Sequence, residues 1–390
     1  MQLVIRNAQI LQSNGTFLKG HVGIEQGIIS ALRYDEKALI NENADTVKID
    51  AENLFVCPGF IDTHVHGGVG FDFGFDKGSW EKMEDRLSAN GVTSILATLF
   101  SLPPEETLSR IDSIVNLAGK NRGKVSIEGI HVEGPFFNKN KKGIHREENI
   151  RPASVEEVKN ILDRGRGLVK ILTLAPDIEQ NMALIKTITA AGVSVSIAHT
   201  EADYVTAMAA FSSGANRVTH TFNTMPVLSH RYEGIVTAAW QHGAFMELIS
   251  DGQHVSPTIV KMFVAASDFD KIVLVSDNFE LSGLPEGKYV HDNRPIVIAD
   301  GQIKSDKGVL AGSMLTLNEC AYNLVRWGFP AGSALKMASE NPARSIGIFD
   351  RKGSIACGKD ADIAVLDGQF NVMMTVKGGK IVYQSDVFAT

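Results

Sequence analysis

Cysteine is scarce in this chain of 390 residues, and the three present, Cys57, Cys320 and Cys357, lie far apart. Such an odd, widely spaced set matches neither a disulfide framework nor a cysteine-based zinc site, which favours a reducing, cytoplasmic environment. Long apolar runs are lacking too, since no stretch reaches the roughly 18 apolar residues of a transmembrane helix. The start, MQLVIRNAQI, has no apolar core like that of a signal peptide. We therefore expect no membrane association.

Positive charge is also in short supply. The chain has 38 Lys and Arg residues against 45 Asp and Glu residues, a formal net charge of −7. A mildly acidic protein has no overall field that would hold nucleic acid, so an anionic ligand would need a local basic pocket. With 44% hydrophobic and 21% charged residues, the composition is that of an ordinary globular protein. Disordered, collagen-like and coiled-coil classes are excluded.

Eight β-rich runs recur along the middle of the chain, alternating with segments of helical spacing. The runs are residues 60–66, 92–99, 125–134, 169–176, 193–200, 217–223, 245–251 and 271–277. Alternating strands and helices indicate βαβ units, and eight such units predict an α/β fold closed into a (β/α)8 barrel of the TIM type. An open doubly wound sheet is the alternative. The number of runs, and the lack of a Gly-x-Gly-x-x-Gly motif after the first, favour the barrel.

The two chain ends have a different pattern, of short strands separated by turn signals. Residues 1–51 contain Asn-Gly and Gln-Gly turns, and residues 352–390 alternate in the same way. Neither end is long enough for a good core of its own. We expect both to form one small, discontinuous β-sandwich domain beside a barrel domain over residues 52–351. Residues 285–310 read as a hairpin inserted after the eighth run.

Polar residues of one chemical kind follow several predicted strands. His64 and His66 end the first run, and Glu133, His199, His220 and Asp277 occur at the ends of later ones, with His254 close behind the seventh. Imidazole and carboxylate groups are ligands for zinc and similar divalent ions. Each residue alone is more often an ordinary packed side chain. Because active sites of parallel barrels form at the carboxyl ends of strands, the whole set favours a metal site.

These residues also suggest chemical roles. A bound divalent ion lowers the pKa of water and polarises a carbonyl, and a nearby carboxylate can move the proton. Asp277 suits the proton transfer, and Glu133 suits a ligand that bridges two ions. Some metal-dependent barrels use a carboxylated lysine at the end of strand four as the bridge. Here Lys170 lies near the start of that strand.

A set of motifs extends this interpretation to a family. The chain contains PGFIDTHVHGG (58–68), HVEGPFFN (131–138), KKGIH (141–145), HTFNTMP (220–226), DGQHV (251–255), LAGS (310–313) and GKDADIAVLD (358–367). Together they resemble the N-acetylglucosamine-6-phosphate deacetylases of the amidohydrolase superfamily, over nearly the whole chain. The resemblance implies hydrolysis of the acetamide of N-acetyl-D-glucosamine 6-phosphate to D-glucosamine 6-phosphate and acetate, in amino-sugar metabolism.

The resemblance also implies roles for individual residues. Glu133, His199 and His220 match the principal metal ligands, and His64 and His66 match a pair that supplies a second ion in some members. One or two ions are therefore expected per subunit, zinc or iron first, with manganese or cobalt as alternatives. Asp277 matches the catalytic acid and base, and His145 a residue near the scissile carbonyl. Substrate-binding positions are matched by Ile144, His145, Asn223, Thr224, Asp251, His254, Leu310, Ala311, Gly312 and Ser313.

Arg231 matches an arginine that reaches the phosphate bound by the neighbouring subunit, which implies a homodimer with shared sites. A guanidinium suits a phosphate because it can bind two of its oxygens at once. From the sequence alone, an ordinary surface salt bridge is the simpler interpretation of Arg231.

Some segments depart from the family pattern. They are Asn278–Gly283, Gln253 with Ser256, and the phenylalanine-rich loop 69–76. These departures lie near the expected sugar pocket, so the galactosamine epimer stays open as the substrate. A cyclic amidase and a barrel that only binds ligands are further alternatives. The position of Lys170 argues against the first, and the full set of candidate ligands argues against the second.

Overall fold

The computed structural model describes residues 2–34, 45–75, 78–120, 123–386 and 388. Within these residues the strands are β1 (Gln2–Leu11), β2 (Phe17–Glu25), β3 (Ile28–Arg33), β4 (Thr46–Asp50), β5 (Phe55–Pro58), β6 (Phe60–Val65), β7 (Gly67–Gly68), β8 (Phe71–Asp72), β9 (Val92–Leu99), β10 (Ser126–Glu133), β11 (Val169–Leu174), β12 (Ser194–Ile197), β13 (Arg217–Val218), β14 (Phe245–Leu248), β15 (Ile272–Leu274), β16 (Gly287–His291), β17 (Arg294–Ala299), β18 (Gln302–Ser305), β19 (Ile363–Leu366), β20 (Val372–Lys377) and β21 (Lys380–Gln384).

The helices of the same residues are α1 (Trp80–Ala89), α2 (Pro104–Lys120), α3 (Val155–Gly165), α4 (Glu179–Ala190), α5 (Tyr204–Ser212), α6 (Gly234–His242), α7 (Pro257–Ala266), α8 (Leu317–Arg326), α9 (Ala331–Met337) and α10 (Glu340–Ser345). Short 3-10 helices occur at Lys139–Lys141, Glu147–Asn149 and Phe269–Lys271. None of these described helices combines the length and apolarity needed to cross a membrane.

Eight parallel strands of the described chain form the barrel, in the order β6, β9, β10, β11, β12, β13, β14 and β15. Helices α1 to α7 connect successive strands. The sheet closes at its carboxyl end, where Val65 of β6 pairs with Asn278 and the Asp277 backbone N–H donates to the His64 carbonyl at 3.0 Å. The predicted (β/α)8 architecture is confirmed, and all eight predicted runs contain a barrel strand.

Local sequence explains where these elements lie. Every residue of β9 is buried, as expected for a strand covered on both faces in a parallel barrel. Ser79, Ser154 and Asp203 each accept a hydrogen bond from a backbone N–H three residues further on, which begins α1, α3 and α5. The amphipathic α3 buries Val158 and Ile161 towards the barrel. Helix packing therefore covers the outer surface of the strands.

The chain ends combine into a second, separate sheet. Its order is β21, β20, β19, β5, β1, β2, β3, with β4 paired to β1. A core of its own includes Ile5, Ile24, Val56, Ile363 and Val376. The predicted sheet-rich region from both ends is thus confirmed. The division at residues 51/52 and 351/352 stays a prediction, and β5, beyond the first boundary, is hydrogen-bonded to β1 and β19.

The segment predicted as a hairpin after the eighth run is a three-stranded antiparallel sheet, β16–β17–β18. Its turns are Asp292–Asn293 and Asp300–Gly301, with positive φ at all four residues, as tight hairpin turns require. The first turn escaped prediction because Asp-Asn is a weaker signal than Asp-Gly. Ile296, Ile298 and Ile303 pack this sheet against residues that follow β15.

Candidate active site

The predicted metal ligands lie at the carboxyl ends of barrel strands. His64 is in β6 and Glu133 ends β10. His199 and His220 lie two residues after β12 and β13, and Asp277 lies three residues after β15. The last three have φ angles of 48°, 32° and 48°, a left-handed conformation that is uncommon for residues other than glycine. Such conformations persist where the surrounding structure holds them, and they cluster at functional sites.

Glu133 is the centre of the group, and each of its carboxylate oxygens faces a different pair of imidazoles. Its Oε1 lies 3.0 Å from His220 Nε2 and 3.5 Å from His199 Nε2. Its Oε2 lies 3.2 Å from His66 Nε2 and 3.5 Å from His64 Nε2. This is the arrangement expected of a carboxylate that bridges two cation positions.

Asp277 lies beside the second pair of imidazoles. Its Oδ1 is 3.3 Å from His64 Nε2 and 3.6 Å from His66 Nε2. Burial would raise the pKa of the Asp277 carboxyl, but the charge of His64 and a hydrogen bond from His66 lower it. The group is therefore a carboxylate at neutral pH, able to accept a proton.

Hydrogen bonds on the far side of the rings fix their orientation. His64 Nδ1 lies 2.9 Å from Glu247 Oε2, and His199 Nδ1 lies 2.8 Å from the Lys141 carbonyl. Because these acceptors face Nδ1, each ring turns its Nε2 towards Glu133, where a bound cation would replace the Nε2 proton. Metal-binding histidines in proteins are oriented in this way.

The donor set fits one or two divalent cations. The Nε2 atoms of His64 and His66 lie 3.2 Å apart, and those of His199 and His220 lie 3.1 Å apart. Nitrogen atoms at this separation are close enough to share a cation, and Glu133 supplies negative charge at the same place. The groups His64–His66–Glu133 and Glu133–His145–His199 have ligand atoms within 4.8 Å of one another.

His145 is oriented as a donor and not as a ligand. The backbone N–H of Ser101 donates to His145 Nδ1 at 3.2 Å, so the proton of a neutral ring lies on Nε2. Burial lowers the pKa of His145, which keeps the ring neutral. Its Nε2 lies 3.5 Å from Glu133 Oε2. An N–H at this position can donate to a substrate oxygen.

A cavity of about 350 Å³ opens above this cluster. Of the predicted site residues, those that line it are His66, Glu133, Ile144, His145, His199, His220, Asn223, Thr224, His254, Asp277, Leu310 and Gly312. Phe100 and Phe279 form an apolar wall. Among the described residues that line the cavity, none is lysine or arginine.

Other predicted residues lie outside this lining. Arg231 is exposed on the loop between β13 and α6. Asp251 instead supports His254, whose Nδ1 lies 2.7 Å from Asp251 Oδ2. Ala311 is buried, and the Ser313 hydroxyl donates to the Ser276 carbonyl at 2.6 Å. Ser313 thus supports the backbone next to Asp277.

Sequence reasoning missed the residues beneath the cluster. Arg217 is fully buried and donates to Glu247 Oε1 at 2.9 Å, while Glu247 Oε2 also accepts the His220 backbone N–H at 3.1 Å. His131 lies alongside, and burial lowers its pKa to about 3. The sequence did contain a signal, because the charged Glu247 lies within the apolar run FMEL. An unpaired charge is costly in an apolar barrel interior, so such a residue indicates a buried partner.

Comparison with known proteins decides the family. A model described as "Amidohydrolase family" matches residues 55–382. The chain belongs to the amidohydrolase family. This agrees with the resemblance found in the sequence, and the family's dependence on metal agrees with the histidine and glutamate cluster.

Relatives of this amidohydrolase are similar over almost their whole length. An N-acetylglucosamine-6-phosphate deacetylase of Bacillus subtilis (strain 168) is 32% identical and covers 98% of both chains. An N-acetylgalactosamine-6-phosphate deacetylase of Escherichia coli O157:H7 is 29% identical, covering 95% of this chain and 97% of the other.

Solved structures of N-acetylglucosamine-6-phosphate deacetylases are also similar to it. The enzyme from Pasteurella multocida superimposes with a TM-score of 0.91 at 28% identity, covering 98% of this chain and 99% of the other. A mutant of the Mycobacterium smegmatis enzyme, in complex with N-acetyl-D-glucosamine-6-phosphate, superimposes with a TM-score of 0.87 at 28% identity and the same coverage.

Proposed function

We propose that this amidohydrolase removes the acetyl group from N-acetyl-D-glucosamine 6-phosphate, giving D-glucosamine 6-phosphate and acetate, in amino-sugar catabolism. The observation that carries the proposal is the Glu133 carboxylate, shared between two imidazole pairs with Asp277 beside one of them, at the base of a sugar-sized cavity. The full-length similarity to deacetylases of this substrate supports the same reaction.

A metal bound at the cluster supplies a Lewis acid and lowers the pKa of water. Glu133, His199 and His220 would hold the principal ion, and His64 with His66 a second one. Zinc or iron suits these nitrogen and oxygen donors best, and manganese or cobalt is compatible with them.

The side chains of this chain perform the proton transfers. Asp277 takes the proton of the attacking water and returns it to the amide nitrogen, so that the C–N bond breaks with an amine as the leaving group. His145 donates its Nε2–H to the acetamide oxygen as negative charge develops there. Burial keeps the His145 ring neutral, so its Nε2–H can donate a hydrogen bond without any change in the charge of the ring.

The phosphate is best bound by a guanidinium or ammonium group, and the cavity lining of a single described chain contains neither. We assign that role to Arg231 of a second copy, in a homodimer. An exposed apolar groove of about 710 Å³ supports this assignment, because it offers a surface for a second copy. Its lining includes Val227, Trp240 and Met262, it reaches His230, next to Arg231 in sequence, and it shares His254 with the cavity. The Asp251 hydrogen bond and charge raise the pKa of His254 against the effect of burial, so His254 adds positive charge.

We assign sugar contacts to Ile144, Asn223, Thr224 and the stretch Leu310–Ser313, although Ala311 and Ser313 act through the backbone. The galacto epimer is the second candidate substrate, since one relative of this chain is named for it. Segments beside the cavity, including Phe279, differ from the family pattern, and these differences affect which of the two epimers fits the cavity. A cytoplasmic location is consistent with free thiols at Cys57, Cys320 and Cys357.

The test is a comparison of kcat/KM for acetate release from three sugars at measured metal content. N-Acetylglucosamine 6-phosphate is expected to be the best substrate, with the unphosphorylated sugar at least about 100-fold poorer because it loses charge-assisted hydrogen bonds. A preference for N-acetylgalactosamine 6-phosphate would replace the proposed substrate with its epimer. Equal turnover with and without the phosphate would show that Arg231 does not contribute to substrate binding.

A further inference from the structure

Three sequence features that the proposed function does not use meet at one place. They are the phenylalanine-rich loop, of which Asp76 lies outside the described residues, the Asn278–Gly283 segment, and the inserted sheet. Each contributes one side chain to a buried group, here called the loop cluster, of Asp72, Glu280 and His291. One ligand atom from each lies within 4.8 Å of the other two, and His291 Nδ1 is 2.8 Å from Glu280 Oε2.

The loop cluster is shielded from solvent. Asp72 is 3% exposed, Glu280 8% and His291 2%. Phenylalanine rings surround the imidazole on several sides, with Phe279, Phe75 and Phe100 at centroid distances of 5.0, 5.3 and 5.8 Å from His291. Two carboxylates in such surroundings are costly unless positive charge or hydrogen bonds compensate for them.

Described hydrogen bonds compensate only partly for the burial of the Asp72 carboxylate. One oxygen, Oδ1, accepts the Gly74 backbone N–H at 2.6 Å, while Oδ2 is buried without a hydrogen-bond partner among the described residues. Burial raises the pKa of Asp72 to about 6. Arg146 and Arg294, which line a small cavity with His291, hydrogen-bond to Asp292.

We propose that Asp72, Glu280 and His291 bind a divalent cation of the zinc class, at a site distinct from the Glu133 cluster. Two carboxylates and a divalent ion sum to zero charge, and the donors are those that zinc accepts in three-ligand sites. The ion joins the loop after β6, the segment after β15 and strand β16. It thereby stabilises the wall of the substrate cavity that Phe100 and Phe279 form.

The experiment counts Zn²⁺ per chain by elemental analysis after metal-free protein is equilibrated with Zn²⁺. Glu280→Gln is nearly isosteric and is expected to bind one ion fewer than the unmodified chain. Glu286→Gln, an exposed change six residues further along the chain, is the matched control and should leave the count unchanged. Glu133→Gln weakens the active-site cluster only, so the Glu280→Gln difference is expected to persist in that background.

A second readout guards against a variant that fails to fold. Added Zn²⁺ is expected to raise the Tm of metal-free Glu133→Gln protein, because an ion that binds only the folded state stabilises it. This rise should be smaller in the Glu133→Gln/His291→Asn double variant. Equal ion counts in the unmodified chain and Glu280→Gln, or equal Tm rises in the two backgrounds, would leave the loop cluster as a hydrogen-bonded Glu280–His291 pair beside Asp72, with no bound metal. Deacetylation is assayed separately, so this outcome does not touch the proposed reaction.

Discussion

At the scale of the residue, the position of Asp277 allows its proposed proton transfer to be tested separately from metal binding. It borders the His64 and His66 rings but is 15% exposed at its side chain, on the cavity side. Asp277→Asn keeps the shape and removes the proton acceptor, so kcat is expected to fall by about 100- to 10,000-fold. Elemental analysis should find the metal content unchanged. Retained turnover with normal metal content would take the proton transfer away from Asp277.

We expect Glu247 to affect metal binding through the two candidate ligands that it orients. It accepts the His64 Nδ1 proton and the His220 backbone N–H, while Arg217 and His64 keep its pKa low against the effect of burial. Glu247→Gln is expected to weaken metal affinity by about 10- to 100-fold, measured by competition with a chelator.

The matched control for that variant is Glu84→Gln, a buried carboxylate that accepts the Val125 backbone N–H far from the site. A metal affinity that stays constant in Glu247→Gln, while Tm falls as in Glu84→Gln, would make Glu247 a purely structural residue.

At the scale of the element, a buried charge cluster connects the end of the barrel to the terminal sheet. Asp362, just before β19, binds Lys352 and also Lys377 of β20, the latter at 2.9 Å. Asp362→Asn removes the carboxylate paired with Lys377 and one of three carboxylates near Lys352, which keeps Glu128 and Asp360. It is expected to lower the free energy of unfolding by about 3–5 kcal/mol at pH 7, because the mostly buried Lys377 loses its partner. Urea denaturation measures this.

The same variant carries a pH signature. Burial would raise the pKa of Asp362, but the charges of Lys377 and Lys352 lower it below its ordinary value. A lowered pKa stabilises the folded state above the ordinary value and loses that effect as pH falls, so the gap between the two proteins should narrow in acid. Glu52→Gln, whose partner Lys19 is exposed, should change stability by less than about 1 kcal/mol. A gap independent of pH would contradict the assigned charge interaction.

Elements were predictable where the signal is local. The apolar run 92–99 coincides with β9, and serine or aspartate caps mark the starts of α1, α3 and α5. The ligands at strand ends could be predicted because barrel topology brings those ends together. The Arg217–Glu247 pair and the loop cluster could not be predicted, because each depends on side chains that meet only after distant segments fold.

At the scale of the whole molecule, the role proposed for Arg231 requires two copies of the chain. If Arg231 acts across the interface, Arg231→Ala and Asp277→Asn proteins are each nearly inactive, but their mixed dimer contains one complete site. Subunit exchange at equal concentrations should then restore about a quarter of the unmodified activity, because half of the dimers are mixed and each has one working site. Activity no higher than the average of the parents would place Arg231 within its own subunit's site or outside it.

Metal-dependent deacetylation is tested most directly by acetate release from N-acetylglucosamine 6-phosphate, using protein stripped of metal and then titrated with Zn²⁺ or Fe²⁺. Negligible release is expected without metal, followed by a rise in proportion to the first ion bound per chain, with one acetate formed for each free amine. Full release from metal-free protein, or none at any metal loading, would contradict metal-dependent deacetylation by this chain.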